Sequence, residues 1–194
     1  MSISCFTMKN WNNSKEVGFM RGEISVKWKV LSVKWIVVMF CVLMIESTVF
    51  AEETAMPEEI IAKVRAAAEF LSKAGEAGLA QFNDPKGQWA WKDTYVFVMN
   101  CGKEEMTAHI NPNLVGVKLV NFLDKNGRYL GFDLCAESVK SKGGWTEYWW
   151  PKVGTNVPER KISYALKVLG QPYEVGAGIY NPNMTLKQLN DMLK

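Results

Sequence analysis

The chain has one histidine and four cysteines in 194 residues. With so few soft ligands, and with His109, Cys101 and Cys135 far apart, it lacks the spacing of a zinc site. It has no Gly-x-Ser-x-Gly, no phosphate-binding glycine loop and no His-Glu-x-x-His, so the common hydrolase, nucleotide and metalloprotease signatures are absent. Cys101 and His109 would fall on opposite arms of a hairpin, which argues against a thiol–imidazole pair. The chain is therefore read as non-enzymatic and without a cofactor. Internal repeats and low-complexity tracts are missing too. The longest uninterrupted apolar run, Ile36 to Ile45, has ten residues. A membrane-spanning helix needs roughly 20.

That short run has a different use. Lys27, Lys29 and Lys34 precede it, and Thr48-Val49-Phe50-Ala51 follows it, ahead of Glu52 and Glu53. A basic segment, a short apolar segment and a small-residue end form the pattern of a secretory signal peptide. Cleavage is expected after Ala51, leaving residues 52–194; the alternative is an anchor formed by an uncleaved N-terminal segment. Phe40 is a poor neighbour for a lipidated Cys41. Met20 is a second candidate start, and would give a leader of more usual length.

Residues 1–51 carry six basic and three acidic side chains, so residues 52–194 balance at 17 of each. The basic character of the chain comes from its leader. No concentrated basic surface remains for nucleic acid. Residues 52–194 are enough for one domain with one core, and five of the eight tryptophans lie there. Cys5 and Cys41 fall in the leader. Cys101 and Cys135 remain as an even pair in an exported chain, which predicts a disulfide; two buried thiols are the other possibility.

Pro57-Glu58-Glu59 opens a helix, with proline at the first position and carboxylates at the positive end of the dipole. Ile60, Ile61, Val64, Ala67, Ala68, Leu71 and Ala74 recur at helical spacing and carry it to about Phe82. Trp89 to Cys101 reads as one strand, with Tyr95, Phe97 and Met99 on one face and Val96 and Val98 on the other. A hairpin tip at Gly102-Lys103 leads to a returning strand, Met106 to Ile110. Leu114 to Phe122 reads as loop with short helix, and Tyr129 to Lys140 as a helix whose apolar side is Leu130, Leu134 and Val139. Three aromatic strands follow, and Thr185 with Gln188 caps a terminal helix. The expected class is α+β: an antiparallel sheet of about five strands, a long N-terminal helix on one face, and a cavity beneath the segment that begins at Asn111.

The closing strands carry a resemblance. Gly144-Trp145-x-Glu147-Tyr148-Trp149-Trp150-Pro151-Lys152, then Lys161-Ile162-Ser163-Tyr164, then Val175-Gly176-Ala177-Gly178-Ile179-Tyr180 resemble the C-terminal half of a single Cache domain. Tyr95 to Val98, Ala108-His109 and Asn111-Pro112-x-Leu114-Val115-Gly116 resemble that family's first hairpin and ordered loop. The resemblance implies a PAS-like, extracytoplasmic sensor binding a small organic ligand, often a carboxylate, between sheet and covering loops. Such domains usually sit between two membrane spans of a chemoreceptor or kinase. Here no second span or cytoplasmic signalling region is seen, so a stand-alone binder serving a membrane receptor or transporter is expected.

The candidate ligand-binding residues are Tyr95, His109, Trp145, Tyr148 and Lys161. His109 is either a pocket donor or acceptor, or a hydrogen-bonded residue at a strand end. Lys161 either offers charge to a carboxylate or is solvated. Adjacent strand residues point oppositely, so Trp145, Tyr148, Trp149 and Trp150 cannot all face one pocket. The alternative function is a docking module without a ligand, using the Trp149-Trp150 pair as its contact.

Overall fold

The computed structural model describes residues 53–181 and 183–194. The leader readings (the Ile36 to Ile45 run, cleavage after Ala51, Met20, Cys5 and Cys41) lie outside the described residues. Helix α1 spans Pro57–Ala74. Glu59 reaches back to the Met56 N–H at 2.9 Å and so supplies one missing acceptor at the helix start. Ile60, Ile61, Val64, Ala67, Ala68 and Leu71 form its buried stripe. The α-helical geometry ends at Gly75, whose φ of 57° suits glycine. The chain then tightens into a 3-10 helix, Gly75–Asn83, rather than carrying the α-helix on to Phe82 as predicted.

The predicted single strand from Trp89 to Cys101 is in fact three. Strands β1 (Ala90–Trp91) and β2 (Thr94–Tyr95) pair as a small separate hairpin, and β3 is Phe97–Asn100. The break lies at Lys92, whose φ is 49°. Tertiary contacts hold it: Lys92 pairs with Glu59 at 2.8 Å, and Asp93 accepts the Ala55 N–H at 2.9 Å. The side-chain alternation survives the break, so Tyr95 and Phe97 still share a face.

Strand β4 is Glu105–Ala108, followed by two single 3-10 turns, Pro112–Leu114 and Leu119–Asn121. Helix α2 spans Leu130–Ser138; Leu130 and Leu134 are buried, but Val139 lies beyond its end and is exposed. Strands β5 (Gly144–Pro151), β6 (Pro158–Lys167) and β7 (Glu174–Ile179) complete a five-stranded antiparallel sheet of order β4-β3-β7-β6-β5. Helix α3, Leu186–Asp191, is capped by Thr185 and Gln188.

The sheet has two buried faces. One packs Val96, Val98, Ile162, Tyr164, Val175 and Ile179 against α1. The other packs Phe97, Met99, Met106, Leu119, Phe122, Leu130 and Leu134 beneath the covering turns and α2. A disulfide, Cys101–Cys135, ties α2 to the end of β3.

Candidate functional site

Lys161 is the least expected residue on the covered face. It is 1 % exposed, in the middle of β6. Its Nζ lies 4.3 Å from the centre of the Tyr95 ring, 5.2 Å from that of Tyr180 and 6.0 Å from that of Phe97. Among the described residues it has no ion pair and no hydrogen bond; aromatic faces are its neighbours. Burial pushes its ammonium down to about 7, and the charge of Asp93 pulls the other way. The solvated alternative for Lys161 is thereby excluded.

Room for this side chain comes from β7. A methyl group on Gly178 would fall 2.8 Å from Lys161 Cε and 2.2 Å from Ser163 Oγ. Gly176 is likewise crossed by the Phe97 ring, 2.6 Å from where its Cβ would be. The two alternating glycines of a central strand let a long lysine and a phenyl ring lie flat across the sheet.

His109 and Tyr95 stand beside this lysine. The Asn111 N–H donates to His109 Nδ1 at 2.8 Å, which leaves the ring proton on Nε2. Nε2 faces Tyr95 Oη at 3.1 Å and donates to it. The phenol's own proton is then free to point into the site. Burial, reinforced by the Lys161 charge and opposed by the Asn111 contact, pushes His109 down to about 3, so the ring is neutral. Burial pushes the Tyr95 and Tyr148 phenols well above their usual range. Tyr148 Oη and Ser163 Oγ share a hydrogen bond of 2.7 Å.

The structure therefore brings Tyr95, His109, Tyr148 and Lys161 together. Trp145 it places elsewhere: it lies on the opposite face, against Tyr164 at 5.4 Å between ring centres, in the core beneath α1. Trp145 and Tyr148 are three positions apart on one strand, so alternation separates them. Tyr164 and Tyr180 donate to the main-chain carbonyls of Lys142 and Pro151, both at 2.7 Å. Sequence reasoning missed Ser163, Gly178 and Phe97 beside this lysine, and weighed Trp150 only as one of four aromatic residues that could not all face one pocket; the Gly-Ala-Gly step in β7 was the available signal.

The expected metabolite-sized hollow is not there. The void lined by Lys161, Tyr95, His109, Tyr148, Phe122 and Trp150 measures about 20 Å³, room for roughly one water. Phe122, Leu130 and Leu134 fill the space that a larger cavity would occupy. Directly outside lies a groove of about 460 Å³ between the Asn111–Leu114 turn and the connection from β5 to β6. It shares Tyr95, His109 and Trp150 with the void. A groove of about 550 Å³ opens elsewhere, between α1 and the turn at Ser138–Lys142. Its cations, Arg65, Lys140, Lys142 and Lys167, are all exposed, where water already solvates them. The buried lysine makes the void the candidate site.

The family model for "Single Cache domain 2" matches residues 42–188. The chain belongs to the single Cache domain 2 family. The Cache fold is a sensory, extracytoplasmic module, and among the described residues no helix is long and apolar enough to cross a membrane. Three solved structures resemble this Cache domain. The periplasmic sensor domain of a chemotaxis protein is 28% identical over 62% of this chain and 94% of that chain, with a TM-score of 0.48. A methyl-accepting chemotaxis protein from Vibrio parahaemolyticus RIMD 2210633 is 24% identical over 63% of this chain and 86% of that chain, with a TM-score of 0.52, a likeness of fold. A Cache chemosensory domain, described for its carboxylic acid recognition, is 22% identical over 62% of this chain and 85% of that chain, with a TM-score of 0.49.

Proposed function

We propose that this chain is an exported sensory protein, with a leader at 1–51 and a Cache domain at 52–194, that reversibly binds a small organic carboxylate. Lys161 is the charge acceptor, and Tyr95 and Tyr148 are the hydrogen-bond donors. Occupancy is read by a membrane receptor or transporter. The observation that carries this reading is the buried Lys161 ammonium, which among the described residues has no ion pair and no hydrogen bond. Burying an unpaired charge costs several kcal/mol. A carboxylate bound against it would remove that cost, restore the proton and be oriented by the two phenols. His109, neutral and held by Asn111, acts indirectly by aiming Tyr95.

Thermal shift and calorimetry on the full chain against acetate, propionate, lactate, pyruvate and amino acids test it. A ligand that binds only the folded state raises its apparent stability. At least one of these acids is expected to bind to the wild type and not to Lys161→Met. A folded protein with no response to any of them overturns the reading.

A docking module without a ligand has one observation in its favour, the nearly filled interior. Trp149 and Trp150 are each only half-buried. But Trp149 is already covered by the Lys125 ammonium, 3.1 Å from its ring centre, and Trp150 is stacked on Phe122. A docking surface has no use for a lysine buried inside the sheet without an ion pair, so we favour the ligand-binding reading.

A further inference from the structure

Three rings, Tyr95, His109 and Trp150, line both the void and the outer groove, and they are not buried alike. His109 is fixed through its ring by Asn111 and through its main-chain N–H by Asn83 at 2.9 Å. Tyr95 is 3 % exposed and bonded to His109. Trp150 is half-buried at the end of β5, stacks on Phe122 at 6.0 Å and hydrogen-bonds the Tyr95 phenol. It is the least deeply buried of the three walls.

We propose that Trp150 is a hinged partition: an organic acid enters from the groove, displaces the indole to reach Lys161, and the space so opened sets the chain length accepted. This rests on the reading of Lys161 as the carboxylate acceptor and adds to it a route and a size filter. The volumes require some such movement. A void of about 20 Å³ is too small for an acid, whereas the groove, at about 460 Å³, falls within the usual size of small-molecule sites, roughly 300–1,000 Å³.

The charges lie along the same route. Lys152 lines the groove, with Nζ 5.5 Å from the Tyr180 ring centre, and the Lys161 Nζ is 5.2 Å from that same centre. Lys152 also pairs with Glu159 at 3.4 Å, a contact exposed enough to exchange for an incoming anion. An acid therefore meets a solvent-facing ammonium first and a buried one last, with one aromatic ring adjoining both.

The test is calorimetry and stopped-flow binding of straight-chain monocarboxylates, from acetate to hexanoate, to the full chain as wild type, Trp150→Ala and Trp150→Phe. With Trp150→Ala, affinity for pentanoate and hexanoate relative to acetate is expected to rise about tenfold, because each buried methylene contributes favourably in an apolar pocket. Association should also become faster. Trp150→Phe should shift the preference less, in the same direction, and carries the test if the alanine variant fails to fold. Lys152→Gln should slow association mainly at low salt and leave the length preference alone. Binding of pentanoate and hexanoate by Trp150→Ala, with wild type binding acetate alone, supports the partition in its strictest form. Binding by all variants with an unchanged length profile overturns the partition and leaves the Lys161 reading standing. No binding by wild type or either variant overturns both.

Discussion

A methyl group on Gly178 would come within 2.8 Å of Lys161 Cε and within 2.2 Å of the Ser163 hydroxyl. The neighbouring backbone leaves no slack, since the Ile162 carbonyl would be 2.9 Å away. Gly178→Ala must therefore push Lys161 and Ser163 aside together. It is expected to destabilise the protein by about 1–3 kcal/mol, the usual cost of overpacking a core, and to weaken carboxylate binding. Urea unfolding and calorimetry on the same variant measure both; an unchanged affinity would remove Gly178 from the site.

Lys161→Met should raise the stability of the ligand-free protein while abolishing binding. The lysine titrates at 10.5 when unfolded and at about 7 when folded. Between those values the unfolded state holds more protons, so wild-type stability rises with pH across that window and is flat on either side. Methionine removes both the dependence and the buried charge, with an expected gain of roughly 2–4 kcal/mol at and below neutral pH. Denaturant unfolding from pH 6 to pH 10 checks the slope. A wild-type profile parallel to that of the variant would show that the lysine is not strained by burial.

Much of this is legible in the sequence. The alternation placing Tyr95 and Phe97 opposite Val96 and Val98, and Lys161 and Ser163 opposite Ile162 and Tyr164, is a local property of extended chain. The proline and two glutamates that open α1 are local too. The turn at Lys92 was not legible, because it is imposed from afar by Glu59 and by the Ala55 N–H on Asp93. The same holds for the filled interior. Nothing in the order of residues says that Phe122 and Trp150 close over Lys161 rather than stand away from it. Trp145 was placeable: three positions from Tyr148 on one strand, it had to face the other way.

His109 gives a second pH window, separate from that of Lys161. Its imidazole titrates at 6.5 when unfolded and at about 3 in the folded protein. Folding stability contributed by the neutral ring is complete above the unfolded value and is lost as pH falls towards the folded one. His109→Asn, which keeps an acceptor for the Asn111 N–H, should remove this loss and flatten the acid limb relative to wild type. It should also weaken carboxylate binding by about tenfold, the worth of roughly one hydrogen bond, by releasing Tyr95. Matched urea titrations between pH 3.5 and pH 6.5 read the first effect. Identical acid limbs would mean that the ring is protonated in the fold.

The covering layer is closed into a loop by the disulfide. Cys101 and Cys135 are 34 residues apart, and between them the chain contributes Met106, His109, Phe122, Leu130 and Leu134 to the walls of the void. The Cys101 N–H is also held by Glu174 at 2.8 Å, which keeps the loop's first end in place without the bond. Loss of the link therefore frees the α2 end first. Replacing both cysteines by serine should cost about 3 kcal/mol of stability through the wider freedom of the unfolded chain. Carboxylate affinity should fall as well, since His109 and Leu134 would no longer be held in register across Lys161. Calorimetry well below the variant's melting temperature separates the two effects. An affinity equal to wild type under those conditions would mean that the sheet and the turns alone hold the site together.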